Sequence, residues 1–233
     1  QDLRKQAKES RKLILQMLTA AGNGHPGGSL SAIDIITALF FHEMNVDPKN
    51  ALSPDRDRFV LSKGHGCPAL YATLAYRGYF KPEDTLTLRQ LGSVFQGHPD
   101  RVRLPIVEAS TGSLGQGISV AQGIAMAAKL DKKDYRVYCL MGDGEAQEGQ
   151  VWEAVQFAPN NNVDNLVAFV DVNGQQIDGS TNKVNNNRDL GAKYKAFGWR
   201  VLTVDGNNMD ELVTLLRKIK RLVGKGQPIA VMM

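Results

Sequence analysis

Two short stretches carry the side chains needed to hold a cation against an anion. Gly142-Asp143-Gly144 follows the apolar run Val137-Tyr138-Cys139-Leu140-Met141, and Asn173-Gly174-Gln175 follows a second apolar run, Leu166 to Asp171. A carboxylate, an amide oxygen and a main-chain carbonyl are the donors a hard cation takes, and Mg²⁺ keeps its remaining positions for water and phosphate oxygens. Glycines beside Asp143 let backbone N–H groups come close to an anion. Read alone, Gly-Asp-Gly is a common surface turn and Asn173-Gly174 a good hairpin turn. Three of the 4 histidines also stand in glycine-flanked turns: His25-Pro26-Gly27-Gly28, Gly64-His65-Gly66 and Gly97-His98-Pro99. Imidazole donates, accepts and changes charge near neutral pH, which suits proton movement at a bound ligand. Taken singly, each is a loop histidine. His42, inside a helical stretch, is read as structural.

The elements between must bring these residues together. Residues 137–141 read as a strand, Gln147 to Ala158 as a helix and Leu166 to Asp171 as a second buried strand. A right-handed crossover places both strand ends at one edge of a parallel sheet, so Asp143 and Asn173 converge across about 30 residues of sequence. Helical spacing predicts further helices over 3–21, stopped at Gly22-Asn23-Gly24, and over 31–44, capped by Ser29 or Ser31. It also predicts helices over 70–78, within 79–90, over 117–130, ending near Phe197, and over 209–223. Strands are expected at 57–61, 199–204 and 228–233. This alternation predicts an α/β fold with a mostly parallel central sheet flanked by helices on both faces, and a ligand site at the carboxyl ends of the strands. Gly115-x-Gly117 lacks the third glycine of a dinucleotide fingerprint. Lys63 is read as a solvated surface lysine, and Glu145 and Glu153 as ordinary charges.

At 233 residues, 42% apolar and 22% charged, the chain suits one domain, and no apolar run approaches a membrane span. The net charge of +4 points to no nucleic-acid partner and is compatible with an anionic substrate. Two cysteines are too few for a disulfide framework, and no signal peptide is read at the start, so a cytoplasmic location is expected.

A Gly-Asp-Gly followed by Asn at the ends of two strands resembles the thiamine-diphosphate enzymes. Gln147-Glu148-Gly149, Trp152-Glu153-Ala154, Ile177-Asp178-Gly179, His25-Pro26-Gly27-Gly28 and Thr111-Gly112-Ser113-Leu114-Gly115-Gln116-Gly117 resemble transketolase in particular. The resemblance implies a cation, Mg²⁺ with Ca²⁺ or Mn²⁺ as substitutes, on Asp143, Asn173 and the Gln175 carbonyl, bridging to the cofactor's diphosphate. It implies that Gly142, Gly144, Gly112, Ser113, Leu114 and His65 line the cofactor and that Ile177 packs on its thiazolium. His25, His65 and His98 would face the sugar, and Glu148 would lie at an interface between two copies.

The resemblance covers the first of three transketolase domains. It implies a diphosphate-binding domain over 1–233, with the pyrimidine-binding and C-terminal domains supplied by a separate chain in an α2β2 assembly acting on phosphorylated sugars. The implied reaction moves a two-carbon ketol unit from a ketose phosphate to an aldose phosphate in the pentose phosphate pathway. A related enzyme such as deoxyxylulose-phosphate synthase, and a non-catalytic cofactor-binding subunit, are the alternatives. Residues 101–105, Asn160 to Asn162 and Asn185 to Asn187 depart from the family's expected pattern.

Overall fold

A computed structural model describes residues 2–233. Five parallel strands form the central sheet: β1 (Arg58–Leu61), β2 (Val137–Gly142), β3 (Leu166–Asp171), β6 (Arg200–Thr203) and β7 (Ile229–Met232), in the order β1-β2-β3-β7-β6. Two-residue strands β4 (Gln175–Gln176) and β5 (Gly179–Ser180) make a separate antiparallel hairpin. The helices are α1 (Leu3–Ala21), α2 (Pro26–Ala38), α3 (Cys67–Arg77), α4 (Gly117–Leu130), α5 (Gly149–Asn160), α6 (Thr181–Val184), α7 (Leu190–Ala196) and α8 (Met209–Leu222).

The inner strands β2, β3 and β7 are buried on both faces, so they read as continuous apolar runs whose alternate residues enter two different cores, while the edge strand β6 is half-exposed. Tyr138, Leu140, Val167 and Phe169 join Leu13, Ile14, Ile33, Ile36, Leu70 and Leu216, from α1, α2, α3 and α8. Val137, Cys139, Met141, Ala168 and Val170 join Ile118, Ala121, Val151, Val155 and Tyr194, from α4, α5 and α7. Among the described residues no helix is long and apolar enough to cross a membrane.

Several boundaries differ from expectation. α2 starts at Pro26, not at Ser31, because proline at the first helical position is pre-set for a helix. Ser29 is therefore inside the helix, where its hydroxyl bonds the His25 carbonyl, and Ser31 reaches Asp171 instead; neither caps. After Ala38 the chain continues as one π turn, Leu39–Glu43, and His42 is exposed there. The helix expected within 79–90 is only a 3₁₀ stretch, Pro82–Thr87.

Gly64 and Gly117 bring the loops above β1 into contact. A Cβ on Gly64 would lie 2.7 Å from the Gly112 nitrogen, and one on Gly117 would lie 2.6 Å from the Ser62 Cα. The register Leu61↔Leu140 and Gly142↔Asp171 sets the carboxyl ends of β1, β2 and β3 side by side.

Candidate cofactor and metal site

Asp143 leaves the end of β2 and is 3% exposed. Its Oδ1 accepts from Gly144 N at 2.9 Å; its Oδ2 accepts from Gly174 N at 2.9 Å and from Thr181 Oγ1 at 3.3 Å. Gly174 thus joins the loop after β3 to Asp143, as a crossover unit requires. Asn173 is held by Nδ2 donating to Asp171 Oδ2 at 3.3 Å and by Oδ1 accepting from Gln175 N at 2.9 Å. The Gln175 carbonyl lies 3.9 Å from where a Gly144 Cβ would sit. Burial raises the Asp143 carboxyl above its ordinary range, against the hydrogen bonds from Gly174 and Gly144. Among the described residues no lysine, arginine or histidine pairs with it. A buried carboxylate without a counter-charge is costly. A bound cation would remove that cost, and the loop that Gly174 N ties to the carboxylate carries the Asn173 amide oxygen and the Gln175 carbonyl. The donor set fits a hard divalent ion.

Two buried charged groups hold the strand ends, and both overturn the sequence reading. Lys63 is 1% exposed and pairs with Asp171 at 2.5 Å. Asp171 Oδ2 also accepts from Ser31 Oγ at 2.6 Å and from Asn173 Nδ2. The lysine thus links the tips of β1 and β3, 108 residues apart in sequence. Glu145, 3% exposed, is no ordinary loop charge. Its Oε1 accepts from Ser62 Oγ and from Gly115 N at 2.9 Å, and its Oε2 from Gly142 N at 3.1 Å. One carboxylate therefore joins the turns after β1 and β2 to the loop before α4. The available signal was position: Lys63 comes just after the apolar run Phe59-Val60-Leu61, and Glu145 lies within the turn that β2 feeds. Glu153 is exposed, as expected.

His25, His65 and His98 converge above this platform. The His25 ring is 5.4 Å from that of His65 and 6.2 Å from that of His98. Each close approach depends on a glycine: a Cβ on Gly28 would lie 2.8 Å from the His65 ring, and one on Gly112 would lie 2.6 Å from His98. Gly112 also has φ +130°, a conformation that disfavours a side chain. His25 Nδ1 is buried without a partner among the described residues.

A family model described as the transketolase thiamine diphosphate binding domain matches residues 3–232. The chain belongs to the transketolase family. It is 47% identical over 224 residues to the 6-deoxy-6-sulfo-D-fructose transketolase subunit SqwG of Clostridium sp. (strain MSTE9), covering 96% of this chain and 82% of that relative. It is 44% identical to an apulose-4-phosphate transketolase subunit of Phocaeicola vulgatus, covering 92% of this chain and 76% of the relative. A Pichia stipitis transketolase structure superposes with a TM-score of 0.92 at 34% identity, over 99% of this chain but 36% of its own. Human transketolase, 42% identical, is likewise covered over 36% of its length. The chain therefore spans about a third of the single-chain transketolases and most of the two subunit relatives.

In this transketolase domain the remaining sequence-nominated residues lie at the rim. Ile177, at the β4–β5 turn, is 93% exposed. Gly112, Ser113 and Leu114 form the loop beside His98, with Gln116 Nε2 bonding Ser113 Oγ at 3.1 Å. Glu148 is exposed at the start of α5 and lies against the same loop, where a Cβ on Gly115 would come 2.8 Å from the Glu148 Cβ.

Burial pushes His65 down from 6.5 to about 4, helped by Lys63 and by His25 and His98. Burial and Arg89 also lower His25 and His98. The imidazoles are thus held neutral, able to donate and accept. The unfolded chain protonates His65 near 6.5 and the folded chain only near 4. Between those values the unfolded state binds more protons, so stability falls as pH falls through that window. His65→Gln is expected to flatten the decline of Tm between pH 6.5 and 4; a decline parallel to the parent's would contradict this.

Proposed function

We propose that this domain holds the diphosphate and metal end of thiamine diphosphate in a transketolase that moves a two-carbon ketol unit from a ketose phosphate to an aldose phosphate. The observation that carries the reading is the buried Asp143 carboxylate, which has no basic side chain paired with it among the described residues and is tied through Gly174 to the Asn173 loop, at the sheet edge where three neutral histidines converge. Asp143, Asn173 and the Gln175 carbonyl would hold Mg²⁺, with Ca²⁺ or Mn²⁺ as substitutes. Gly142, Gly144 and His65 would face the diphosphate, and Gly112, Ser113, Leu114 and Ile177 the cofactor's rings. When bound, thiamine diphosphate supplies a nucleophilic carbon and an electron sink for cleavage next to a carbonyl. The chain's own part is to orient the sugar. His25, His65 and His98, neutral at physiological pH, hydrogen-bond its hydroxyls and carry protons at its oxygens. Covering Ile177 with cofactor would bury its exposed side chain and exclude water.

The domain is read as one unit over 1–233, completed by a separate chain carrying the pyrimidine-binding and C-terminal domains. The subunit names of the two relatives at 47% and 44% identity support this. Two of each chain would form α2β2, with Glu148 at the contact between copies. A cytoplasmic role in pentose phosphate metabolism fits this chemistry. The test is turnover of xylulose 5-phosphate with ribose 5-phosphate, with cofactor and Mg²⁺, by the chain alone and mixed with the partner. Activity in the mixture only is expected. Full activity from the chain alone would overturn the split arrangement. Cofactor binding without turnover of any ketose would favour a non-catalytic subunit.

A further inference from the structure

The asparagine run 185–187 sets two of its polar groups against the Asp143 loop. We infer that Asn187, with Thr181, is a positioning residue that fixes the cation-binding carboxylate of Asp143; the inference rests on the metal reading just proposed. Asn187 Nδ2 donates to the Asp143 carbonyl oxygen at 2.6 Å. The same oxygen accepts from Ala146 N at 3.1 Å, and Asp143 N donates to the Asp171 carbonyl at 3.1 Å. The main chain is therefore pinned on both sides of the Asp143 Cα.

Thr181 acts on the side chain. It is 5% exposed, and its hydroxyl donates to Asp143 Oδ2 at 3.3 Å. Gly174 N donates to the same oxygen at 2.9 Å, and Thr181 N closes the ring by donating to Gly174 O at 3.0 Å. A carboxylate oxygen has two lone-pair sites. Both on Oδ2 are engaged, whereas among the described residues Oδ1 accepts only from Gly144 N, which leaves one for a cation. The clasp thus decides which oxygen remains available.

The segment carrying Asn187 is itself anchored to the Asp143 loop. Gln147 Nε2 donates to Asn185 O and to Gln176 Oε1, each at 2.7 Å. Asn186 Oδ1 accepts from Arg188 N at 2.7 Å, supporting Arg188 at φ 55° just before α7. Groups that hold metal ligands in place typically change metal affinity about 10- to 100-fold when removed.

The test is Mn²⁺ binding, read from loss of the free-ion paramagnetic resonance signal, with thiamine diphosphate and the full chain mixed with its partner. Asn187→Ala and Asn187→Leu, which keeps the size and loses the donor without adding a charge, are expected to weaken Mn²⁺ binding about tenfold. Thr181→Val is expected to weaken it in the same direction. The metal-free Tm of Asn187→Leu should move little, which separates positioning from general destabilisation. If Asn187→Ala fails to fold, Asn187→Leu and Thr181→Val carry the comparison. Affinity within about twofold of the parent in Asn187→Leu would overturn the inference. A parent mixture that binds no Mn²⁺ would overturn the metal reading, and the inference with it.

Discussion

Asp143→Asn is expected to abolish metal-dependent cofactor binding while changing the stability of the apo-domain little. The two halves of the result have one cause. Burial holds the Asp143 carboxyl above its ordinary range, so the ionised form is disfavoured. A neutral amide of the same size removes that penalty and keeps an acceptor for Gly174 N, while its NH2 group faces the Gly144 N–H that Oδ1 had accepted from, so gain and loss largely offset. The same change removes the one anionic side chain available to a cation there. The stabilisation that thiamine diphosphate and Mg²⁺ bring by mass action, about 2.7 kcal/mol at a hundred times Kd, should vanish from the melting profile. Turnover in the mixture with the partner should fall on the order of a thousandfold, because a metal is worth several kcal/mol to such chemistry. A ligand-induced rise in Tm that survives in Asp143→Asn would contradict the assignment.

Lys63→Met should be the most damaging single change to stability among the residues around the site. It leaves Asp171, 6% exposed, without its ammonium partner. Removing one member of a buried pair typically costs about 3–5 kcal/mol, because the other charge stays desolvated. Ser31 and Asn173 remain as donors to Asp171, which puts the expected loss at about 3 kcal/mol. Asp171→Asn strands the ammonium instead and should cost a comparable amount. The double variant Lys63→Met with Asp171→Asn should recover much of either loss, since no unpaired charge is left. Urea denaturation of the chain and the resulting double-mutant cycle measure the coupling. Additive losses would show that the pair is not an energetic unit.

The pair also illustrates what was legible in the sequence. β2, β3, α4 and α8 stand within a residue or two of where periodicity put them, because doubly buried strands and amphipathic helices write themselves into local composition. The approach of Asp143 to the Asn173 loop followed from one crossover. His25, His65 and His98 were visible because glycines flank them, and the structure gives the reason: a Cβ on Gly28 or Gly112 would occupy the space of the His65 or His98 ring. What stayed hidden were groups whose meaning lies in a distant partner. Lys63 looked like any lysine after a strand, because Asp171 is far away in sequence. Glu145 looked like a loop charge, because two of its three donors, Ser62 and Gly115, come from other segments. The β4–β5 hairpin was missed because four residues, Gln175, Gln176, Gly179 and Ser180, carry no strand pattern.

The most direct test of the account is the position of the metal. Crystals of the chain grown with thiamine diphosphate and Mn²⁺, measured at the manganese edge, give an anomalous peak wherever the ion binds. The account predicts one peak within coordination distance of an Asp143 carboxylate oxygen, the Asn173 side-chain oxygen and the Gln175 carbonyl, with the cofactor's diphosphate completing the shell. Cofactor bound with no peak at Asp143, or a peak held by other residues, would contradict it.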